Sequence, residues 1–262
     1  ECNAPEDPNN TLTPIIFRSV GWRAEQFSWV NSTLDVHNFG WGQGNPTMEL
    51  YDAFVAEEGV DGYRLNNTLL TYPQLVAGGV VLKAGQTLEQ HTGIFSYKFR
   101  CAASGMFNNN NSQQQDYVYM RYAEVLLLAA EAHIQNPTGN KDKAADYINQ
   151  IRIRAQIDKD GDGNIDLVSA SDPDLFDRMK NEKRLELCYE GCRYVDLIRW
   201  GDAYDVLKHK SRSIPSFNAV DGHNPDFKTY TTTGFKQNRD ELFPFPTEEM
   251  SVNTNLKQNP GY

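Results

Sequence analysis

The chain has 262 residues, a formal net charge of −10 and a sequence pI near 5.0. This length is sufficient for one large domain or two smaller ones, with ample apolar core. The acidic balance argues against nucleic acid as a partner, because proteins that bind nucleic acid carry a basic surface. No stretch approaches the ~20 consecutive apolar residues that a membrane-spanning helix needs.

Residues 1–115 predict irregular, loop-rich structure. Glycine, asparagine, threonine and proline recur in this region, and aromatic residues are scattered between them. The clearest helix candidate runs from Pro46 to Glu57. A low-complexity run of asparagine, serine and glutamine at 108–115 predicts an exposed loop.

Helical periodicity begins after residue 116. Spacings of three and four predict one apolar helix face, which comprises Val118, Tyr122, Val125, Leu126, Ala129 and His133. The segment Asn136-Pro137-Thr138-Gly139 ends this helix. The same spacing predicts a second helix, packed antiparallel on the first, from Ala144, Ile148, Ile151 and Ala155. Small residues on both helices allow close approach, so the pair predicts a tetratricopeptide-like helical hairpin.

An acidic segment at 158–166 is inserted after the second helix and is similar to an EF-hand or dockerin-type calcium loop. The oxygen donors are Asp158, Asp160, Asp162, Asn164 and Asp166. Gly163 stands at the sixth position, where such loops need a tight turn, and calcium prefers six to eight oxygen ligands. The twelfth position holds Ser169 instead of a bidentate glutamate, and Asp172 is a candidate substitute. We expect one structural calcium ion; the alternative is a solvated acidic turn.

Two more helices are predicted before residue 208. Asp172-Pro173 supplies an N-cap and a first-turn proline for a helix to about Glu190. Gly191 interrupts it, and a fourth helix runs from Asp196 to Trp200. The sequence therefore predicts a mainly α, tetratricopeptide-like scaffold with long irregular loops.

A string of charged residues in this region admits two interpretations. Its members are Glu182, Arg184, Glu186, Glu190, Arg193, Asp196 and Arg199. Paired carboxylates with arginines are compatible with glycoside hydrolysis. Helical spacing, such as Glu182, Glu186 and Glu190 facing Arg193, favours ion pairs that lock helices together. Because the known catalytic motifs are absent from the sequence, we expect a protein that is not an enzyme.

Three blocks of residues, in order along the chain, resemble the RagB/SusD family of outer-membrane nutrient-binding lipoproteins of Bacteroidetes. The first is the Arg-Tyr-Ala-Glu helix at Arg121–Glu124, and the second is the Glu-Arg, Glu-Gly and Arg-Trp-Gly block within Asn181–Gly201. The third joins the Phe-Pro-Phe-Pro turn at Phe243–Pro246 to the terminal Gln258–Tyr262. A weaker fourth match lies at Pro46–Phe54. Physics alone predicts only an ordered, extended C-terminus from these prolines.

The resemblance implies a cell-surface glycan-binding component of a TonB-dependent uptake system. It implies a SusC-like transporter as partner, and a lipid anchor outside this chain segment that holds the protein at the extracellular face of the outer membrane. Family members are longer, so the chain is expected to be a C-terminal portion. The alternatives are peptide capture, as in RagB-type members, and a tetratricopeptide adaptor for a protein partner.

The resemblance also implies that a ligand is held on a shallow face by aromatic rings and nearby polar groups. Three of the four tryptophans lie within residues 20–70, where glycines at 40, 42 and 44 favour an open loop. Amphipathic rings beside amides suit hydroxyl-rich ligands. The alternative is that some of these rings, Trp22 among them, belong to the core. We expect the ligand contacts to include Trp41, Trp29, Trp22, Asn38 and Tyr63.

The predicted organisation is one SusD-like domain in three parts. Residues 1–115 form a loop-rich aromatic region, 116–208 the helices with the acidic loop, and 209–262 an extended closing segment. Cysteine usage adds little, since four cysteines define no disulfide framework in so long a chain. Cys188 and Cys192 are expected to be thiols, and the sequence permits but does not require a bridge between Cys2 and Cys101.

Overall fold

The computed structural model describes residues 19–36, 40–88, 91–100, 102–107, 112–113, 117–208, 211–215, 217–218, 227–231 and 234–262. The described chain is mainly helical, with short strands that pair in twos. Its contacts define two compact units: residues up to 190 with 215–226, and residues 191–214 with 227–262. The break after residue 190 falls within the predicted region 116–208, and the predicted three-part division stays a prediction.

The helices of the first unit are α1 (Met48–Glu58), α2 (Tyr63–Thr68), α3 (Tyr72–Ala77), α4 (Tyr122–Gln135), α5 (Lys141–Arg154) and α6 (Leu175–Glu186). Those of the second unit are α7 (Arg193–Trp200), α8 (Ala203–Leu207) and α9 (Thr247–Val252). None of the helices in the described ranges is long and apolar enough to cross a membrane.

The strands of the first unit form antiparallel pairs. These are β1 (Phe27–Trp29) with β3 (Val80–Leu82), β2 (Leu69–Thr71) with β5 (Ile94–Ser96), β4 (Thr87–Leu88) with β9 (Phe217–Asn218), and β6 (Met106–Phe107) with β7 (Ser112–Gln113). The strand β8 (Ser211–Pro215) pairs with β10 (Phe227–Thr231). Because β1 and β5 contribute Phe27 and Phe95 to one aromatic core, these short strands anchor the loop-rich region.

Local capping explains where the predicted first helix begins and ends. The Thr47 hydroxyl accepts a hydrogen bond from the Leu50 amide at 3.2 Å, which satisfies one of the helix's first donors. Gly59 ends α1 with a φ of 73°, a left-handed conformation that glycine adopts without steric cost. The predicted helix from Pro46 to Glu57 is thus confirmed as Met48–Glu58.

The predicted helical hairpin is confirmed as α4 and α5, which pack against each other and against α6. The connection turns at Asn136, whose Oδ1 accepts from the Thr138 amide at 3.0 Å. Asn140 caps α5 by accepting from the Lys143 amide at 3.0 Å. This hairpin gives the molecule its tetratricopeptide-like character.

The apolar face predicted for α4 is wrong in direction. Leu126 is buried as expected, but Tyr122 is 70% exposed and Val125 is also exposed. The buried side is completed by Leu127 and Ala130. The helix carries apolar residues on nearly all sides, so spacing alone could not identify the side that packs on α5 and α6.

The third helix begins later and ends earlier than predicted. Asp172 is not its N-cap: its carboxylate accepts from the Ser169 amide at 2.9 Å and from Arg178 at 2.6 Å. The helix spans Leu175–Glu186 instead. The chain leaves it through Tyr189 (φ 68°) and Gly191 (φ 86°), so the predicted interruption at Gly191 is confirmed.

The C-terminal segment was predicted to be extended, but it contains a helix directly after its two prolines. Pro246 is the N-cap of α9, a position that needs no helical amide donor, so proline is tolerated there. The remaining segment is pinned as expected: the Tyr262 hydroxyl donates to the Leu242 carbonyl at 3.2 Å. The Gln258 amide both accepts from the Phe245 N–H at 2.8 Å and donates to its carbonyl at 3.0 Å.

Candidate functional site

The tryptophan-rich stretch divides into buried and exposed rings, and Trp22 is buried. It is 6% exposed, its indole N–H donates to the Ser96 carbonyl at 2.9 Å, and its ring meets Phe95 edge-on at 5.7 Å. Such a contact network is that of a core aromatic with its polar atom satisfied. The prediction that Trp22 contacts ligand is therefore corrected, and its alternative packing role holds.

Trp29 lies at the end of β1 and is half-buried. Its ring meets Phe27 edge-on at 6.1 Å. Its indole N–H is buried and has no hydrogen-bond partner among the described residues. Because a buried donor of this kind needs an acceptor, the Trp29 N–H can serve a bound water or ligand oxygen.

Trp41 is 43% exposed and lies on the glycine-rich loop that the sequence predicts. Gly42 and Gly44 have φ values of 67° and 65°, so the loop depends on glycine at both positions. The Gly42 amide donates to the Gly21 carbonyl at 2.8 Å, and the Tyr189 hydroxyl donates to the Gly44 carbonyl at 3.0 Å. The loop thus presents Trp41 to solvent while its backbone is held.

The other two predicted ligand residues have different outcomes. Tyr63 opens α2 and is 50% exposed, so its ring is available. Asn38 lies outside the described residues. The contribution of both residues to ligand binding stays a prediction.

A buried ion-pair network joins the loop-rich region to the helices. It consists of Arg64, Lys98, Arg121, Arg152 and Arg154 with Glu57, Glu58, Glu182, Glu186 and Glu190. The prediction that Glu182, Glu186 and Glu190 form ion pairs that lock elements together is confirmed. The predicted part of Arg193 in these pairs stays a prediction. Sequence reasoning missed Arg64, Lys98 and Arg154, because pairs such as Arg64–Glu186 join residues 122 positions apart and leave no local pattern.

Glu186 is the centre of the network. Its carboxylate accepts from Arg121 at 2.6 Å, from Arg154 at 2.7 Å and from Arg64 at 3.3 Å. Its backbone carbonyl accepts from Lys98 and Arg121, each at 2.7 Å. Glu190 binds Arg121 at 2.7 and 2.8 Å and also pairs with Lys98.

Nearby cations keep Glu186 and Glu190 charged. Burial raises the pKa of Glu186, but Arg121 and Arg154 outweigh burial and hold it below its usual value. Burial and Arg121 act against each other in the same way at Glu190, whose pKa is also lowered. At Glu58, burial prevails over the attraction of Arg64 and raises the carboxyl pKa.

A cavity of about 290 Å³ opens beside the network. It lies in the first unit and contains both the exposed Tyr63 and the buried Arg64. Its lining consists of Tyr63, Arg64, Asn67, Thr68, Lys98, Arg121, Arg154 and Glu186. Four of these eight lining residues are cationic, although the chain as a whole is acidic.

The acidic loop brings three of its five predicted ligands together. One carboxylate oxygen from each of Asp158, Asp160 and Asp162 lies within 4.8 Å of the others. Gly163 has a φ of 86°, as the tight turn at the sixth position requires. Asp166 instead accepts from the Lys159 amide at 2.9 Å, and Asn164 donates to Asp162 at 2.9 Å. Asp172, the candidate substitute ligand, pairs with Arg178.

Two of the four cysteines lie within the described residues. Cys188 is a buried thiol, and burial raises its pKa to about 12, so it is not a nucleophile at neutral pH. Cys192 is half-buried and is likewise a thiol. Cys2 and Cys101 lie outside the described residues.

Comparison with solved structures places this arrangement in one fold class. A laminarin-binding SusD-like protein matches over 94% of this chain and 44% of its own, with a TM-score of 0.63 and 24% identity. Surface glycan-binding protein A from Bacteroides uniformis matches over 84% of this chain and 42% of its own, with a TM-score of 0.56 and 22% identity. The fold is that of the SusD-like proteins, mainly α and tetratricopeptide-like.

Sequence comparison gives the family. The SusD family model (SusD_RagB) matches residues 77–262, and the chain belongs to that family. SusD-like protein P2 of Formosa agariphila is 28% identical over 229 residues, which cover 85% of this chain and 41% of that protein. SusD-like protein P38 of the same organism is 40% identical over 92 residues. The chain therefore spans less than half the length of these curated relatives.

Proposed function

We propose that this protein is the glycan-binding component of a nutrient uptake system and captures oligosaccharide at the cell surface. Membership in the SusD family carries the proposal. Two structural neighbours of the same fold are described as laminarin-binding and surface glycan-binding proteins. The exposed Trp41 on its glycine-held loop supplies a ring of the kind that stacks on sugars.

The network supports binding rather than turnover. A glycosidase needs one carboxyl group with a raised pKa, because that group must donate a proton to the leaving oxygen. Glu186 and Glu190 have lowered pKa values and are engaged by cations. Glu58 has a raised pKa, but it is buried and bound to Arg64. We therefore expect no release of reducing ends from bound oligosaccharides.

We further propose delivery to a SusC-like TonB-dependent transporter, with a lipid anchor holding the protein on the outer face of the outer membrane. Family membership supports this partner and this location. Co-purification of a TonB-dependent barrel from outer membranes tests the proposal. Recovery of a different protein bound to the helical hairpin would instead support the tetratricopeptide adaptor.

A calcium ion in the acidic loop is proposed as a structural cofactor. Asp158, Asp160 and Asp162 converge, and the glycine at the sixth position has the required conformation. Oxygen ligands of this kind suit calcium at about 2.3–2.6 Å. Chelation is expected to lower the melting temperature, since an ion bound only by the folded state stabilises it.

The glycan proposal is tested by substituting Trp41. We expect Trp41→Ala to weaken oligosaccharide binding about ten- to a hundredfold, the scale of removing a large stacked ring. The fold should survive, because much of Trp41 is exposed. Tyr119→Ala, which removes another highly exposed aromatic ring, is the matched control and should leave affinity unchanged.

Three results would argue against this reading. Unchanged affinity in a folded Trp41→Ala variant would place the glycan site elsewhere. Binding of peptides but no glycan across an array would favour the RagB-type alternative. Unfolding of Trp41→Ala would show that the ring is needed for packing.

A further inference from the structure

From the cavity lined by Arg64, Lys98, Arg121 and Arg154, we infer a second binding site that takes the carboxylate of an acidic sugar. The inference rests on the proposed glycan-binding function and names a chemical class of ligand for it. It concerns a site separate from the Trp41 loop in its chemistry, since its lining adds arginine and lysine side chains to one tyrosine ring.

The first argument is that the carboxylate in this lining is already occupied. Both carboxylate oxygens of Glu186 accept hydrogen bonds from arginines, and its backbone carbonyl accepts two more. Glu186 is the one carboxylate that the described residues place in the lining. A ligand that offers donors would therefore find no free carboxylate among the described lining residues.

The second argument is that donors remain. Among the described residues, Nη2 of Arg64 is buried without a hydrogen-bond partner, and the whole side chain is 5% exposed. Arg154 has 58% of its side chain exposed and uses Nη2 alone in the hydrogen bonds formed within the described ranges. Guanidinium groups with spare N–H donors match the paired oxygens of a carboxylate.

The third argument is the shape of the opening. Tyr63 and Asn67 are both exposed and line the same cavity. A ring face and an amide beside a cationic wall suit a sugar ring that carries a carboxylate, better than a free inorganic anion. The volume of about 290 Å³ is at the low end for ligand pockets, which indicates one sugar unit and not a long segment.

The charge state of the wall holds across the physiological range. The carboxylates around Arg64 and Arg121 raise the pKa of both guanidinium groups above their usual value, although burial opposes this. The pKa of Glu186 is lowered. The ion pairs therefore persist, and the spare donors do not titrate away.

The test compares matched acidic and neutral oligosaccharides by calorimetry on the purified chain. A uronic-acid oligomer and its neutral counterpart with the same linkage are the probes. We expect the acidic oligomer to bind about tenfold tighter or more, as one good charge-assisted contact allows. Its affinity should fall with added salt, while that of the neutral oligomer should not.

Variants localise the effect. Arg154→Gln should abolish the preference for the acidic oligomer, and Arg154→Lys should restore it only in part, because lysine cannot form the paired contact. Lys141→Gln removes one exposed charge at the other end of α5 and is the matched control. Tyr63→Ala should weaken binding without removing the salt dependence, and melting curves verify that each variant folds.

The outcomes separate this inference from the proposed function. Equal affinity for both oligomers, or a preference that persists in Arg154→Gln, would overturn the acidic-sugar site while glycan binding stands. Binding of a peptide through its terminal carboxylate, lost in Arg154→Gln, would overturn it in favour of a peptide site. If no glycan of either kind binds, the proposed function itself fails.

Discussion

Two clusters of carboxylates in the first unit compensate their negative charges in opposite ways. In the ion-pair network, Glu182, Glu186 and Glu190 are each met by arginine or lysine. In the acidic loop, Asp158, Asp160 and Asp162 meet one another within 4.8 Å and are largely exposed. The first cluster is neutralised by the chain itself, and the second depends on solvent or a cation.

The surroundings explain the difference. Buried charges need partners, because transfer out of water without them costs several kcal/mol. Exposed carboxylates can remain close together, since water screens them and backbone amides donate to them. Asp158 accepts from the Gly161 and Gly163 amides, each at 2.9 Å. Removing a carboxylate should therefore have opposite consequences at the two places.

The largest expected effect comes from breaking the network. Glu182 is almost fully buried and pairs with Arg64 at 2.5 Å and Arg152 at 3.0 Å. Glu182→Ala leaves two buried arginines with a missing partner, so we expect a loss of about 3–5 kcal/mol in the free energy of unfolding. Urea denaturation at neutral pH measures it.

The control for this variant lies on the same helix. Asp177 is highly exposed and approaches Lys180 at 3.7 Å. Exposed pairs of this kind contribute about 0–1 kcal/mol, so Asp177→Ala should change little. Equal effects of the two substitutions would show that the buried pairs add no more than surface pairs.

The network also shows what the sequence can and cannot predict. Glutamates at helical spacing indicated ion pairs, and the hairpin α4–α5 followed from periodicity and its turn. The partners Arg64 and Lys98 come from the loop-rich region, where no local sequence pattern predicts their ion pairs. Likewise, the direction of the α4 apolar face depends on which neighbours pack against it, which the sequence of α4 does not contain.

The aromatic residues repeat this lesson at the predicted ligand site. Glycines at 40, 42 and 44 predicted an open loop around Trp41, and the structure has Trp41 exposed with Gly42 and Gly44 at positive φ. Trp22 carries the same residue type in the same stretch, yet it packs on Phe95 in the core. Composition finds aromatic residues, and only long-range contacts decide which of them face solvent.

The next largest effect is a pH dependence of the free energy of unfolding that comes from His91. It adds to the pH dependence that comes from the network. Burial lowers the pKa of His91 to about 4, and its Nδ1 accepts from the Gly93 amide at 2.9 Å. In the unfolded chain the His91 imidazole takes up a proton near pH 6.5, whereas in the folded chain it does so only near pH 4. Stability is therefore lost as pH falls from about 6.5 to about 4. The shift corresponds to roughly 3 kcal/mol at the low end of this window.

Substitution of His91 separates the two contributions. His91→Gln keeps an acceptor near Gly93 and removes the titration, so the loss of stability above pH 4.5 should disappear. Glu186 and Glu190 have lowered pKa values, so the network's contribution is present above the unfolded carboxyl pKa. It is lost only as pH falls further. Denaturation curves from pH 7 to 3 on both proteins check this, and an unchanged slope in His91→Gln would contradict it.

The smallest effect, and the sharpest test of the comparison, concerns the acidic loop. Asp160→Asn removes one of three mutually repelling carboxylates, so without calcium we expect stability to be equal or higher by up to about 0.5 kcal/mol. With calcium at a hundred times its dissociation constant, the unsubstituted protein gains about 2.7 kcal/mol, and the variant should lose much of that gain. The sign of the effect thus reverses with the ion, as it cannot for Glu182→Ala, whose partners belong to the chain. Melting temperatures of both proteins in calcium and in chelator measure the reversal. If the variant and the parent respond to calcium alike, the loop is a solvated acidic turn.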